Sequence, residues 1–344
     1  MKLKLKPMAA AISVIGLVST DVLVAEENEW LRGVTISGGV QVEAQHKQDY
    51  DETKTSDFVV DEFSLGLDAQ VHKLAKAHVV FLYEEGSTPL EIDEAILTLG
   101  NEEASPIYLN VGQLYVPFGN FESQMVSDPL TLELAETREK AAQLGFKAGV
   151  FYSSVYAFNG DTQDDGENKI DHYGGNLGFA QETESISYDL GVGYINDIGD
   201  TDGLSETLEG VSDYDYVDGL SAHLVLNMGP VSLMGEYITA LDEFQANHLA
   251  FKGQAAQPKA WNAEAGFTFN IAGIETTLAV GYQATEEALA LELPESRILG
   301  VVSAGIYDNT TVSLEYAVDS DYDENDGGTG KDAKSAILQF AVEF

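Results

Sequence analysis

The chain has 344 residues, with 17 Lys and Arg against 58 Asp and Glu and a formal net charge of −41. A surface so acidic repels nucleic acid, whose phosphates call for Lys and Arg to displace counterions. Cysteine is absent, which excludes disulfide staples, thiolate metal sites and cysteine nucleophiles.

Residues 1–25 read as a secretory signal peptide. Lys2, Lys4 and Lys6 form its basic region, Pro7 to Thr20 its apolar region, and Leu23-Val24-Ala25 a small-residue cleavage point, so the mature chain is expected to begin near Glu26. Loss of the leader removes three Lys and one Asp, leaving 14 basic and 57 acidic residues and a charge of −43. No later apolar run approaches the roughly 20 residues that a transmembrane helix needs. Such an exported chain is destined for the periplasm or the outer membrane.

From residue 34 onward, apolar residues alternate with polar or small ones, the mark of a strand with two different faces. In the first strand Val34, Ile36, Val40, Val42 and Ala44 oppose Thr35, Ser37, Gly39, Gln41, Glu43 and Gln45. In the second, Phe63, Leu65, Leu67, Ala69 and Val71 oppose Glu62, Ser64, Gly66, Asp68, Gln70 and His72. Further strands are expected near 75–85, 91–100, 107–115, 142–151, 153–159, 170–181, 185–195, 217–228, 231–239, 259–270, 274–284, 297–307, 310–318 and 334–344, sixteen in all. Short connectors (Lys73-Leu74, Asn101 to Pro106, Tyr152, Glu182 to Glu184, Gly229-Pro230, Ile271 to Gly273, Asp308-Asn309) alternate with long ones at 47–57, 116–141, 160–169, 196–216, 240–258, 285–296 and 319–333, only the 86–90 loop being short. That rhythm, with an even strand number, is that of a closed bacterial outer-membrane barrel. By parity Phe63, Tyr83, Tyr173, Tyr194, Tyr237, Trp261 and Tyr282 should form an outer aromatic rim, and Trp30, Phe179, Phe267, Phe269 and Phe344 a periplasmic one. The fold class is therefore an all-β, sixteen-stranded antiparallel transmembrane barrel, residues 26–344 forming one domain in the outer membrane of a Gram-negative bacterium. A soluble secreted sandwich also alternates, but would need neither aromatic belt.

The third long connector breaks the pattern of solvated acidic loops. Val116-Pro117-Phe118-Gly119 stops strand five, since Pro cannot donate to the ladder. Ser127-Asp128-Pro129 then signals a helix start, and Leu130, Leu134, Arg138 and Ala141 recur at helical spacing, so a short helix is expected over Pro129 to Glu136. One reading of the adjacent charges is pairing along a helix face, as for Glu136 and Lys140. The sharper one folds the loop into the barrel, so that Phe118, Asp128, Glu133, Glu136, Arg138, Lys140 and Lys147 form a constriction and substrate path.

The run YVPFGNFESQMVSDPLTLELAETREKAAQLGF, residues 115–146, resembles the signature of LbtU-type siderophore porins, and more distantly VPFG and the following Leu-rich stretch resemble the phosphate-selective porins, whose third loop enters the pore. The resemblance implies a sixteen-stranded barrel lacking the N-terminal plug of energy-coupled receptors and taking part in siderophore uptake. It also implies an inward third loop.

Parity places Glu43, Glu62, Asp68, Glu84, Glu94, Glu236, Glu264, Glu275, Glu315 and Glu343 on inner faces, with Lys76 and Lys147 as the main inward cations. Such a lumen favours cations and neutral or zwitterionic solutes, and lacks the basic ladder of a phosphate channel. It also conflicts with passage of a polycarboxylate iron complex, unless Arg138 and Lys140 dominate the constriction. His72, His78, His172 and His223 face inward on different strands, as polar lining or, less simply, iron ligands. Asp161, Gln163, Asp165 and Gly166, and Asp321, Asp323 and Asn325, partly resemble calcium loops but lack the terminal Glu. No cofactor, metal or catalytic constellation is expected, and the chain is read as a non-enzyme. The leading function is a channel for a siderophore or its ferric complex. The alternatives are a general or cation-preferring diffusion porin and a surface-structural or adhesive barrel. Expected partners are a small solute, outer-membrane lipid and lipopolysaccharide, and the barrel assembly machinery through Phe344; nucleic acid is not among them, and homotrimeric assembly is left open.

Overall fold

The computed structural model describes residues 33–100, 105–161, 169–183, 185–208, 211 and 215–344; the leader, Trp30 and the Gln163, Asp165 and Gly166 positions lie outside them. In chain order the strands are β1 Val34–Gln48, β2 Lys54–His72, β3 Ala75–Tyr83, β4 Glu91–Leu99, β5 Ile107–Tyr115, β6 Arg138–Ala148, β7 Phe151–Phe158, β8 His172–Glu182, β9 Ile186–Ile195, β10 Gly219–Met228, β11 Val231–Ala240, β12 Ala250–Phe251, β13 Gln254–Ala255, β14 Lys259–Ile271, β15 Ile274–Glu286, β16 Ser296–Tyr307, β17 Thr310–Ser320 and β18 Asp332–Glu343. Two short helices, α1 Leu130–Ala135 and α2 Asp202–Thr207, lie in the connections. All strands but β12 and β13 form one closed antiparallel barrel of sixteen, in which each strand pairs with its sequence neighbours and β1 with β18. β12 and β13 make a separate small hairpin between β11 and β14.

Closure follows from the cost of unpaired backbone in hydrocarbon, which only a helix or an edgeless sheet avoids. At the seam Gly38 and Phe344 exchange backbone hydrogen bonds of 3.0 Å in both directions. Along each strand the two faces separate sharply: on β17, Leu314 is 56% and Tyr316 51% exposed, whereas Ser313 and Glu315 between and beside them are 4% and 1% exposed. Exposed apolar faces recur around the barrel, with Val155, Leu177, Val280, Ile298 and Phe340 among them. In water so much apolar surface would drive aggregation; in a bilayer it is the stabilising face.

Three tyrosines on the buried face lie flat over glycines of a neighbouring strand. A Cβ on Gly145 would overlap the Tyr108 ring, and one on Gly178 or Gly174 would overlap Tyr152 or Tyr156. Each glycine makes room for a large ring, which fills wall space that a small residue alone would leave empty.

Several boundaries differ from the sequence expectation, among them the start of β2 at Lys54, inside the expected 47–57 connector. Strand six begins at Arg138, not at 142, because its backbone pairs with β5, Tyr115 opposite Arg138 and Gln113 opposite Lys140. The turn that follows is at 149–150, with Gly149 at a positive φ of 62°, and Tyr152 lies within β7. The helix ends at Ala135, since Glu136 is extended at φ −59° and ψ 139°, so Glu136 and Lys140 do not pair along a helix. The ladder outweighed the helical spacing of Arg138 and Ala141.

Gly145→Ala is expected to lower stability by roughly 1–3 kcal/mol, the usual cost of overpacking. Urea unfolding in detergent, followed by the loss of heat-modifiable gel mobility, checks it; an unchanged midpoint would remove the ring-over-glycine argument.

Candidate pore and its loop

The connection 116–137 between β5 and β6 is held by side chains from the far side of the barrel. Its neck is closed by Val116 N–H donating to Thr137 O at 3.0 Å. Phe118 is 1% exposed, and its carbonyl accepts from Ser221 Oγ. Asn120 and Phe121 donate their N–H groups to Glu236 at 2.7 and 3.2 Å, and Thr131 Oγ1 donates to the same carboxylate at 2.8 Å. Ser123 Oγ and Gln124 N–H donate to Glu264 at 2.7 and 2.8 Å. Val126 N–H and Ser127 Oγ donate to Glu315 at 2.6 and 2.5 Å. Leu130 N–H reaches Gln283 Oε1 at 3.2 Å. The stretch before α1 has neither helix nor ladder and must find acceptors for its N–H groups elsewhere, and the three carboxylates provide many of them. Hydrogen bonds to a charged group contribute about 1.5–3 kcal/mol each.

The second half of the segment is held by apolar packing. Leu130, Leu134 and Ala135 of α1 are at most 1% exposed; Leu134 and Ala135 join Phe118, Ile238, Ala260 and Leu204 of α2 in one cluster. The β9–β10 connection clasps it from above: Thr201 Oγ1 donates to Leu134 O and Asp202 N–H to Glu136 O, both at 2.8 Å. Gly203 approaches Glu133 O so closely that a Cβ would not fit.

On the opposite side of the segment a cavity of about 270 Å³ separates it from the wall formed by β1 to β5. Glu43, Asp61, Glu62, Glu84 and Asp93 face this cavity from the wall and Asp128 and Glu136 from the segment, against Lys47 as the one lysine or arginine among its lining residues. Two nearby arginines reach the cavity's edge, each already tied to carboxylates. Arg138 Nη1 binds Glu91 at 2.7 Å and Asp93 at 2.8 Å; Arg297 grips Asp319 through two nitrogens at 2.7 and 3.0 Å and donates to Asp128 O at 3.2 Å. Asp61 and Asp93 sit at breaks in the strand register, next to Glu62 and Glu94 that carry the regular alternation. Enclosure by protein, with the charges of Asp202, Asp128, Asp93 and Glu84, pushes the Glu136 carboxyl up to about 9. Asp128, solvent-exposed but hemmed in by protein and beside Glu133, Asp61 and Glu84, is pushed up to about 8 with Arg297 opposing the shift. Glu133, also exposed, is raised as well, by partial desolvation and Glu84 against the pull of Arg297.

The predicted path residues thus fall into two groups. Phe118, Asp128, Glu133 and Glu136 belong to the segment. Arg138, Lys140 and Lys147 belong to β6: Arg138 is tied to the wall, Lys140 shares the exposed face with Leu144, and Lys147 stands near the short-turn end. Of the expected lumen-lining carboxylates, Glu43, Glu62 and Glu84 face the cavity, Asp68 pairs with Lys76 at 2.7 Å, and Glu94 opposes Val80 on the buried face of β4. Glu236, Glu264 and Glu315 are on that face too, but hold the segment instead of lining the cavity. His78, His172 and His223 contact Asp68, Asp197 and Asp189, and His72 Nδ1 accepts from Leu74 N–H, so they are not gathered. Asp321 spends its carboxylate on Thr329 and Tyr322 of its own loop, and no group of three metal-ligating side chains occurs among the described residues. Asp61, Asp93, Ser221, Gln283 and the α2 clasp escaped the sequence reading. Of these only the clasp has a sequence signal, Thr201 with Leu204 and Leu208 at helical spacing.

No protein-family model matches the chain. It is 28% identical over 351 residues to a UPF0422 protein of Legionella pneumophila strain Paris, covering 90% of this chain and 66% of that one. It is 29% identical over 273 residues to a UPF0422 protein of Coxiella burnetii, covering 77% of this chain and 57% of that one. The chain therefore spans less than two thirds of the length of each relative. Among solved structures it is similar to the outer-membrane channel DcaP of Acinetobacter baumannii, with a TM-score of 0.61, 14% identity and coverage of 90% and 97%. Pseudomonas putida OprB gives 0.64, 11% identity, and 92% and 96%; the anion-selective porin of Comamonas acidovorans gives 0.62, 11%, and 90% and 99%. The shared fold and the exposed apolar belt are those of an outer-membrane porin barrel.

Glu315→Ala leaves the Val126 and Ser127 donors without their acceptor and should loosen the segment. Limited proteolysis of the folded barrel is expected to nick 123–128 several-fold faster, and single-channel traces to become larger or noisier. Wild-type proteolysis and conductance would show that the anchor is dispensable.

Proposed function

We propose that the protein is an outer-membrane diffusion channel in which segment 116–137 enters the barrel and narrows an acid-lined path. The observation that carries this reading is the division of the acidic residues: Glu236, Glu264 and Glu315 bind the segment, while seven other carboxylates face the cavity beside it. A path with this imbalance attracts small cations, admits neutral and zwitterionic solutes and repels strong anions. Lys140 and Lys147 take no part in the constriction, and Arg138 has its charge matched by Glu91 and Asp93. A general diffusion porin fits every one of these features.

Uptake of a siderophore or its ferric complex is a second, finer reading, favoured by the resemblance of residues 115–146. In it, Asp128 and Glu136 matter through their raised carboxyls. Groups at about 8 and about 9 are largely protonated at neutral pH, which softens the repulsion of a carboxylate-bearing chelate on the segment side. Neutral and cationic chelates remain the better match to the wall. Phe344, 54% exposed at the closing seam, is the residue offered to the assembly machinery.

The pH dependence has a definite sign. A carboxyl whose proton is lost only near 8 or 9 adds negative charge to the path as pH rises through that range, so the preference for K⁺ over Cl⁻ should grow between about pH 6 and about pH 10. Reversal potentials in a KCl gradient measure it. Asp128→Asn with Glu136→Gln should flatten the profile, and anion preference at any of these pH values would sink the acid-lined path. For the finer reading, iron–siderophore should block single-channel current saturably; unsaturated, non-blocking passage would leave only the diffusion porin.

A further inference from the structure

β2 is longer than the strand it lies beside. Its pairing with β3 stops where Phe63 opposes Tyr83, so from Lys54 to Glu62 it has β1 as its one strand partner. Beyond Tyr83 the chain keeps contact for one more step: Glu85 N–H donates to Val60 O at 3.2 Å, and Val60 N–H donates to Glu85 Oε2 at 2.8 Å. It then turns back on itself, Glu84 and Thr88 exchanging backbone hydrogen bonds of 2.9 and 3.2 Å. Residues 54–58 are left as an uncovered strand edge, every one of them exposed and Phe58 79% so.

Antiparallel pairing turns the backbone groups of alternate residues to opposite edges. Val60 spends both of its groups on the β3 side, so Lys54, Ser56 and Phe58 face that way too, while Thr55, Asp57 and Val59 face β1. One donor on the open edge is covered locally, Phe58 N–H by Asp57 Oδ1 at 2.8 Å. Among the described residues, nothing else takes the N–H and C=O groups of Lys54 and Ser56 or the carbonyl of Phe58, which are open to water or to another strand. Unpaired strand backbone is not tolerated in hydrocarbon, so this edge stands clear of the bilayer, at the end that bears the long connections and is extracellular in barrels of this kind.

The two faces of the edge differ. Thr55, Asp57 and Val59 oppose Lys47, Gln45 and Glu43, which line the cavity, so they stand on its side of the sheet; Phe58, opposite Ala44, stands on the outer side. Residues 47–62 and 84–91 together carry nine Asp and Glu against Lys47 and Lys54. A strand laid along the line that β3 leaves meets acid on its inner face and a bare phenyl ring on its outer one. A second copy of this acidic edge is repelled, whereas a strand alternating basic with apolar residues matches both faces.

We infer that Lys54–Phe58 is a docking edge for an extended cationic peptide, which adds to β2 as an antiparallel strand with its basic residues toward Asp57 and its apolar ones against Phe58. The open backbone groups supply the hydrogen bonds, and the charge and the ring select the partner.

The probe is a fluorescent six-residue peptide alternating lysine with valine, titrated into the detergent-purified protein in about 0.15 M salt and followed by anisotropy. Wild type should bind it saturably. Ser56→Pro removes an edge N–H without touching the bonds to β1, a substitution that edge strands accept, and should bind roughly tenfold more weakly. Heat-modifiable mobility shows whether this variant is folded, and Asp57→Asn, which keeps every backbone donor, should weaken binding several-fold. Methylation of alternate peptide nitrogens separates the two edges of the probe: one pattern should abolish binding and the complementary one leave it unchanged. A peptide of three lysines followed by three valines, equal in charge, should bind weakly. Equal affinity of wild type and Ser56→Pro, equal effects of the two methylation patterns, or equal affinity for the unalternated peptide would overturn the proposal. Dimerisation of the wild type that Ser56→Pro abolishes would overturn it as well, by assigning the edge to a second copy.

Discussion

Backbone satisfaction in an apolar medium is the constraint from which the rest of this molecule follows. Within the bilayer an unpaired N–H or C=O has no water to turn to, so the sheet closes on itself and Phe344 pairs with Gly38 at the seam. Segment 116–137 meets the same demand without a ladder. Many of its donors go to carboxylates, Glu236 taking three of them and Glu264 and Glu315 two or more each. The barrel wall thereby acts on the segment as a neighbouring strand would, but with side-chain oxygens as acceptors.

The acidic composition then acquires three uses. Some carboxylates are internal acceptors that fix a loop, some face the cavity and set its charge, and some are matched by a cation, as Asp319 is by Arg297 and Asp68 by Lys76. In the proposed channel these uses depend on one another. The anchors hold Asp128 and Glu136 toward the β1 to β5 wall, and that crowding of like charges helps to keep the two carboxyls protonated at neutral pH. A second connection contributes as well. The α2 clasp, through Thr201 and Asp202, closes over the apolar half of the segment, so two connections and not one are packed together here.

The outside of the barrel repeats the logic in reverse. Its exposed face has aromatics such as Trp261 opposite Tyr237, with Lys259 two residues further along the strand. Lys140 stands on that face too. In sequence it lies beside Glu136 and Arg138 and reads as part of a constriction. In the barrel it faces away from the pore altogether.

The sequence by itself determined the class of this protein. A period of two repeated sixteen times, short connectors alternating with long ones, and aromatics at both ends of the apolar face all follow from the bilayer's thickness and polarity, which act on every strand alike and so leave a periodic trace. It also determined that residues 116–137 break that trace and hold a short helix. Only the tertiary structure decided what the inward carboxylates do, because Glu264 and Glu43 look the same along the chain and differ in whether a segment more than a hundred residues away lies against them. It likewise decided where β6 begins, since pairing with β5 captured Arg138 and Lys140 from an apparent helix, and it brought Asp61 and Asp93 into the cavity through register breaks that parity cannot anticipate. Alternation is local and can be read from one strand; hydrogen-bond partners, register and the meeting of distant loops are set by closure of the whole barrel.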